Sequence, residues 1–457
     1  MKTNKRNVPT IKFIMRYFLL FIFTLFAMDI LSQKHIEQKV VNNEANIMRI
    51  TITTAKENVG VTLAGSGTAA IDWGDGNIRR IGRIYNSWGR HEYNYNSSAS
   101  RTITITGDNI TGLRIENDNG LTAIDVSKCT SLEVLWCHGN NLTTLDVSKN
   151  TMLISLNCSQ NKLTALNVSN NTMLRDLVCA YNQLTNLDIG KNTALTRLHC
   201  QRNNLTALDV SIHTELESFA LSENKITVLD VSKNTKLRHL SCSQNRLAAL
   251  NVSNNMDLKE LYCHDNQLTA LDVSNNTGLT FLNCGYNRLT ALNVNNNTEL
   301  RELWCRNNQL TTLDISNNTD LTLLHCGNNR LTTLNVDNNL ALKILWLIYN
   351  KLTSLDVNNN TKLQDLDCGN NQLTAIDVSN NIWMINLYLQ NNQFNAAALN
   401  NTFKTLYKNT TRKDKTIFVR ANPGTATCDR SIATDNSWIV DLTTRDRGNI
   451  IEPSVID

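Results

Sequence analysis

From residue 132 to about 394 the chain repeats itself every 21 residues, without an insertion, through thirteen copies. Each copy reads L-x-x-L-x-C-x-x-N-x-L-T-x-L-D/N-V-S-x-N-T-x. The cysteine column runs Cys137, Cys158, Cys179, Cys200, Leu221, Cys242, Cys263, Cys284, Cys305, Cys326, Leu347, Cys368 and Leu389. The asparagine three residues later, from Asn140 to Asn392, is present in every copy. A strict short period allows few folds. No copy is long enough to bury a core alone, so copies must stack into a solenoid stabilised by nearest neighbours.

The spacing fixes the expected coil. Leu135 and Cys137 alternate as in a strand and point inward, with the residue between them outside. Asn140 turns the chain, and a buried asparagine can satisfy the corner's backbone groups, giving a ladder when copies stack. Leu142, Leu145 and Val147 enter the core, and Asp146 between the last two suggests a second short extended segment on the opposite side. Twenty-one residues leave no room for a full helix there, so turns or short 3₁₀ pieces are expected. Asparagine reaches 68 of 457 residues, far above an ordinary share, and the turns explain it.

The pattern resembles the leucine-rich repeat, with cysteine at its third apolar position. It is similar to the cysteine-type repeats of the internalins and related bacterial surface proteins. That resemblance implies a mainly β solenoid of about 13 coils with a parallel concave sheet, and a role in adhesion or host contact. The ten aligned cysteines are expected to be free thiols. Equivalent Cβ atoms on adjacent parallel strands stay about 4.8 Å apart and point the same way, against about 3.8 Å in a disulfide. Leucine at 221, 347 and 389 shows that the position wants an apolar group.

A longer period lies inside the short one. Leu221 and Leu347, His138 and His264, His199 and His325, and Ile189 and Ile315 are each 126 residues apart. A block of six coils has been duplicated, so side-chain features should recur six strands apart.

The flanks differ. Residues 1–32 combine a basic start with the apolar run Tyr17 to Met28, the parts of a secretory signal peptide. They carry the whole net charge of +4, which leaves the remainder neutral and gives no electrostatic case for nucleic acid. Residues 33–112 hold alternating strands broken by Gly-rich turns. Asp72-Trp73-Gly74-Asp75-Gly76 followed by His91-Glu92-Tyr93 resembles the polycystic-kidney-disease (PKD) type of immunoglobulin-like domain. This implies a β-sandwich covering the first coil. Asp72 and Asp75 read as turn formers rather than metal ligands. The solenoid proper spans 113–394. Residues 395–457 read as a small α/β C-terminal cap, with a helix over 396–407 and strands near 415–420 and 437–440. Neither an L-P-x-T-G motif nor a C-terminal span is read there, so a secreted or cell-surface location with no membrane span after signal cleavage is expected.

No catalytic or metal motif emerges. His199 and His325 share a column but stand six strands apart, about 29 Å, too far to share a metal. The chain therefore reads as non-enzymatic, with no cofactor. The informative column lies between the second leucine and the cysteine. It holds Trp136, His199, Tyr262, Trp304, His325, Trp346 and Tyr388. Neighbouring columns add Phe281, Leu323, Ile344, Ile348 and Tyr349, with Glu260, Glu302 and Asp365 as an expected acidic rim. An exposed concave patch of this kind suits a protein or glycan ligand. Packing of rings along the sheet, in a scaffold with no specific ligand, is the competing reading.

Overall fold

A computed structural model describes residues 48–443, apart from positions 86, 118 and 409–414. The signal peptide expected over 1–32 and the end of the expected C-terminal cap, from 444, lie outside the described residues. The fold is mainly β. Its first part has eight strands: β1 (Met48–Thr54), β2 (Asn58–Gly65), β3 (Ala69–Asp72), β4 (Ile78–Ile81), β5 (Gly89–Asn94), β6 (Arg101–Gly107), β7 (Ile110–Arg114) and β8 (Leu121–Asp125). One antiparallel sheet has the order β4-β3-β6-β1-β8, and β5-β2-β7 form a second. The alternation seen in sequence puts Ile52, Val61, Leu63, Ile71, Ile103 and Ile105 in the core. Asp72 and Asp75 do form turns. Asp72 accepts the Gly74 amide at 2.9 Å, and Asp75 accepts the Asn77 amide at 3.1 Å and the Tyr93 hydroxyl at 2.8 Å.

No linker separates this part from the solenoid. Strand β7 pairs antiparallel with β2 and, on its other edge, parallel with β9 (Val134–Trp136). Leu113 stands beside Leu135 in that register. Trp88 and Trp136 sandwich the Arg114 guanidinium, at 3.7 and 3.9 Å from the ring centres, which locks the junction.

Strands β9 to β21 (Asn386–Tyr388) are three residues each and pair in parallel, leucine beside leucine except where Phe219 takes the central place. The sheet does not end at residue 394. Strand β22 (Thr416–Phe418) pairs parallel with β21, and β23 (Ile439–Asp441) with β22. Between β21 and β22 lies α1 (Ala396–Thr405), whose first turn is capped by Asn395 accepting the Ala398 amide at 2.8 Å. A short α2 (Ser431–Asp435) precedes β23. Val419-x-x-Asn422 repeats the cysteine-to-asparagine corner. Asn422 Nδ2 donates to the Leu389 and Val419 carbonyls, both at 2.9 Å.

The corner asparagines act as the sequence suggests. Asn287 Oδ1 accepts the Leu268 amide of the preceding coil at 3.0 Å. Its Nδ2 donates to the Cys263 and Cys284 carbonyls, both at 3.1 Å. The residue before each ladder asparagine is left-handed, from Gly139 at φ 68° to Asn391 at φ 54°. A second ladder was not foreseen. Asn150, Asn171, Asn255 and their equivalents are fully buried and donate to two carbonyls of the preceding coil, as Asn255 does to Val231 at 2.9 Å and Asn234 at 2.8 Å. His213 takes one rung, with Nε2 3.2 Å from the Ile189 carbonyl. The second extended segment reduces, among the described residues, to a single bridge between Asp146 and Asn167.

Candidate interaction surface

The concave face is built of three outward-facing columns. The middle one carries the aromatic series, whose rings pack on one another across neighbouring strands. Exposure was expected and is corrected here for most members. Trp304 is 6% exposed and His325 only 2%. Their rings pack edge to face 5.3 Å apart, and Trp346 meets His325 the same way at 5.1 Å. Burial pushes the His325 pKa down to about 3 and that of His199 well down, so both imidazoles are neutral. His199 shares a 2.9 Å hydrogen bond with Ser218 Oγ. Tyr262 is buried and stacks on half-buried Phe281 at 4.5 Å. Tyr388 is 2% exposed because Phe418 of β22 stacks flat on it at 4.3 Å; the coil unforeseen in sequence encloses it.

Trp136, which opens the series, and Trp346 are the members that remain half-buried. Trp136 Nε1 donates to Ser155 Oγ at 3.0 Å, and Trp346 Nε1 to Asp365 Oδ1 at 2.8 Å. Tyr349 is 41% exposed but occupies a left-handed corner at φ 56°, so it sits at the edge of the face rather than on the strands. Ile348 lies buried over Gly327, where a Cβ would meet its Cγ2 at 2.9 Å.

Behind the face the ten column cysteines are fully buried free thiols. Burial raises the pKa of Cys158, Cys200, Cys242 and Cys326 to about 12. A cysteine ladder is also the named feature of a solved structure, the functional domain of InlJ from Listeria monocytogenes. It is 34% identical to this chain, with a TM-score of 0.59, over 71% of this chain and 77% of its own. The chain belongs to the internalin family. A second internalin of that organism, InlF, matches at 26% identity and TM-score 0.51 over 62% of this chain and 82% of its own. A leucine-rich-repeat protein of Leptospira interrogans shares the fold at 23% identity and TM-score 0.50, over 64% and 81%. A family model for the LVIVD repeat matches residues 305–326 alone, one coil of this internalin. No curated protein matches it.

The outer column of this internalin is the more exposed one. It runs Val134, Ser155, Asp176, Arg197, Ser218, His239, Glu260, Phe281, Glu302, Leu323, Ile344, Asp365 and Asn386, each half-buried except exposed His239. The first half is polar and internally bonded. Ser155 Oγ donates to Asp176 Oδ2 at 3.0 Å, and Arg197 lies 3.5 Å from Asp176 Oδ1. In the second half Phe281 stacks on Tyr262, and Leu323 and Ile344 stand half-buried on the strands that carry His325 and Trp346. The acids expected at a rim instead stand in this column. Glu260, Glu302 and Asp365 alternate with apolar residues, since the strand positions that carry them face the same way. Burial raises the Glu302 pKa. Sequence reading undervalued this column because no ring marks most of it. Its signal is the period-21 run of Glu260, Phe281, Glu302, Leu323, Ile344 and Asp365. Among the described residues no His, Cys, Asp and Glu side chains group as metal ligands, and no helix is long and apolar enough to cross a membrane.

Proposed function

We propose that this chain is an exported bacterial protein that binds a protein partner through the second half of its concave face, as a scaffold rather than a catalyst. The observation that carries the reading is the half-buried apolar series Phe281, Leu323 and Ile344 in the outer column, beside a column of packed rings. A half-exposed apolar strip beside rigid rings loses little conformational entropy when covered. Internalin membership supports adhesion as the setting, and residues 1–32 support export. A sugar would need open ring faces. Trp304 and His325 are closed edge to face, which favours a protein over a glycan.

The test is binding of the labelled mature protein to intact host cells. Leu323→Asp with Ile344→Asp puts two charges on the strip without touching the core. Loss of cell binding at unchanged thermal stability is the expected result. Undiminished binding by the folded double variant refutes the concave site.

A further inference from the structure

The duplicated block gives an internal control for the concave face, because positions 126 residues apart hold the same place in two copies. Asp176 and Glu302 are such a pair. Each is a half-buried carboxylate in the outer column, and burial raises the pKa of both. Their neighbours differ. Asp176 receives the Ser155 hydroxyl at 3.0 Å from one adjacent strand and faces the Arg197 guanidinium at 3.5 Å on the other. The equivalents of Ser155 and Arg197 in the second copy are Phe281 and Leu323, which flank Glu302 in strand register. Among the described residues Glu302 makes no ion pair. Its one side-chain hydrogen bond is a long 3.4 Å contact from Trp304 Nε1. A carboxylate held among apolar groups without a cation is costly, and the first copy shows how this fold relieves that cost.

We propose that Glu302 docks an arginine side chain of the protein partner, which supplies from outside the guanidinium that Arg197 supplies internally in the other copy. The surroundings suit that group. Phe281 offers a ring beside the carboxylate and is braced from behind by Tyr262. Glu260 lies on the far side of Phe281, two strand spacings or about 9.6 Å from Glu302. A guanidinium over Phe281 stacks on the ring and forks onto Glu302, with a second carboxylate within reach. An ammonium has the charge without the plane or the fork. The inference rests on the concave face being the protein-binding surface and names the chemistry that surface reads.

The probe is a short capped peptide, Gly-Leu-Arg-Leu-Gly, with variants carrying lysine or neutral citrulline in place of arginine. Binding is followed by the Glu302 carboxyl carbon and the Trp304 indole proton in NMR titrations. The arginine peptide should shift both at millimolar concentration, the lysine peptide should bind several-fold more weakly, and citrulline should bind about tenfold more weakly or not at all. Glu302→Gln, which keeps the side-chain shape, should abolish the preference for arginine over citrulline, whereas Glu215→Gln in the exposed Lys236 pair should leave it intact. Leu323→Arg rebuilds the first copy's pair in the second. It should lower the Glu302 pKa and block the peptide in a folded protein. Equal response to arginine and citrulline, no response to either, or wild-type preference in Glu302→Gln overturns the proposal. On cells, binding lost in the Leu323→Asp, Ile344→Asp variant but kept in Glu302→Gln leaves the concave reading standing and this inference refuted. Binding kept in both refutes both.

Discussion

Replacing Asn287 with alanine removes one rung from the middle of the corner ladder. Four partners lose something, unequally, and the Gly285 carbonyl still accepts the Asp265 amide at 3.0 Å. The Cys263 carbonyl still accepts from Asn266 at 3.2 Å, and the Cys284 carbonyl from Asn308 at 3.0 Å. The Leu268 amide has no other partner for its hydrogen and is left buried and unpaired. An orphaned buried donor costs about 1–3 kcal/mol, and thinning the three carbonyl bonds adds about 1 kcal/mol, so the expected loss is about 2–4 kcal/mol. Asn287→Asp should be worse: although an oxygen still accepts from Leu268, a buried charge then faces three carbonyls. Urea unfolding gives the total. Amide hydrogen exchange gives the location: protection should fall first at Leu268 and the coils around it, because each coil leans only on its neighbours. A loss below about 0.5 kcal/mol, or an unchanged Leu268 exchange rate, would show that the asparagine is not what closes the corner.

Two further outcomes follow from the buried column. Thiols with pKa about 12, such as Cys200, are ionised to only about one part in ten thousand at pH 8, so in the native protein the buried column thiols should not react with a thiol reagent and at most the half-buried Cys428 should, whereas the denatured protein without reductant should expose all twelve cysteines; fewer than twelve would mean that disulfides exist. His325 stays neutral in the fold to about pH 3, whereas an unfolded imidazole protonates near 6.5, so acid favours the unfolded state. Stability present at pH 7 should decline as pH falls from 6.5 toward 3, by up to about 1.4 kcal/mol per pH unit from this residue; His325→Phe should flatten that decline, and an imidazole that titrates near 6.5 in the native protein refutes it.

The parts of the structure that depend on period were legible. Thirteen copies at one spacing define which residues point inward, where the corner asparagine sits and why cysteine, not disulfide, fills the column. Exposure was not legible, because it depends on how side chains pack across neighbouring strands. Along the column after the strands, Gly285, Gly327 and Gly369 alternate with Arg306, Ile348 and Gln390, and each large side chain lies across a glycine. A Cβ on Gly369 would stand 2.4 Å from Gln390 Nε2. Such interlocking spans adjacent coils and is invisible in any one of them. The same holds for Tyr388, whose cover arrives from Phe418, beyond the last regular copy. Val419-x-x-Asn422 did carry the corner motif, but a 30-residue step from Leu389 with α1 inside it broke the count. The buried Asn150 series escaped notice because Ser-x-Asn-Thr has the composition of a surface turn.

Both asparagine ladders join each coil to the next by the same bonds, whichever two coils meet. A seam made that way does not distinguish neighbours. Removing residues 285–326, two full periods, would join Cys284 to Gly327 and complete the corner with Asn329, leaving both asparagine rungs and the glycine alternation matched. The molecule can thus be shortened or lengthened by whole coils at little cost to stability, and the distance between one end of the recognition face and the other becomes a quantity that changes by integers. Duplication of a six-coil block is one such change, and it left a spare copy of the face free to exchange an internal arginine for one borrowed from elsewhere.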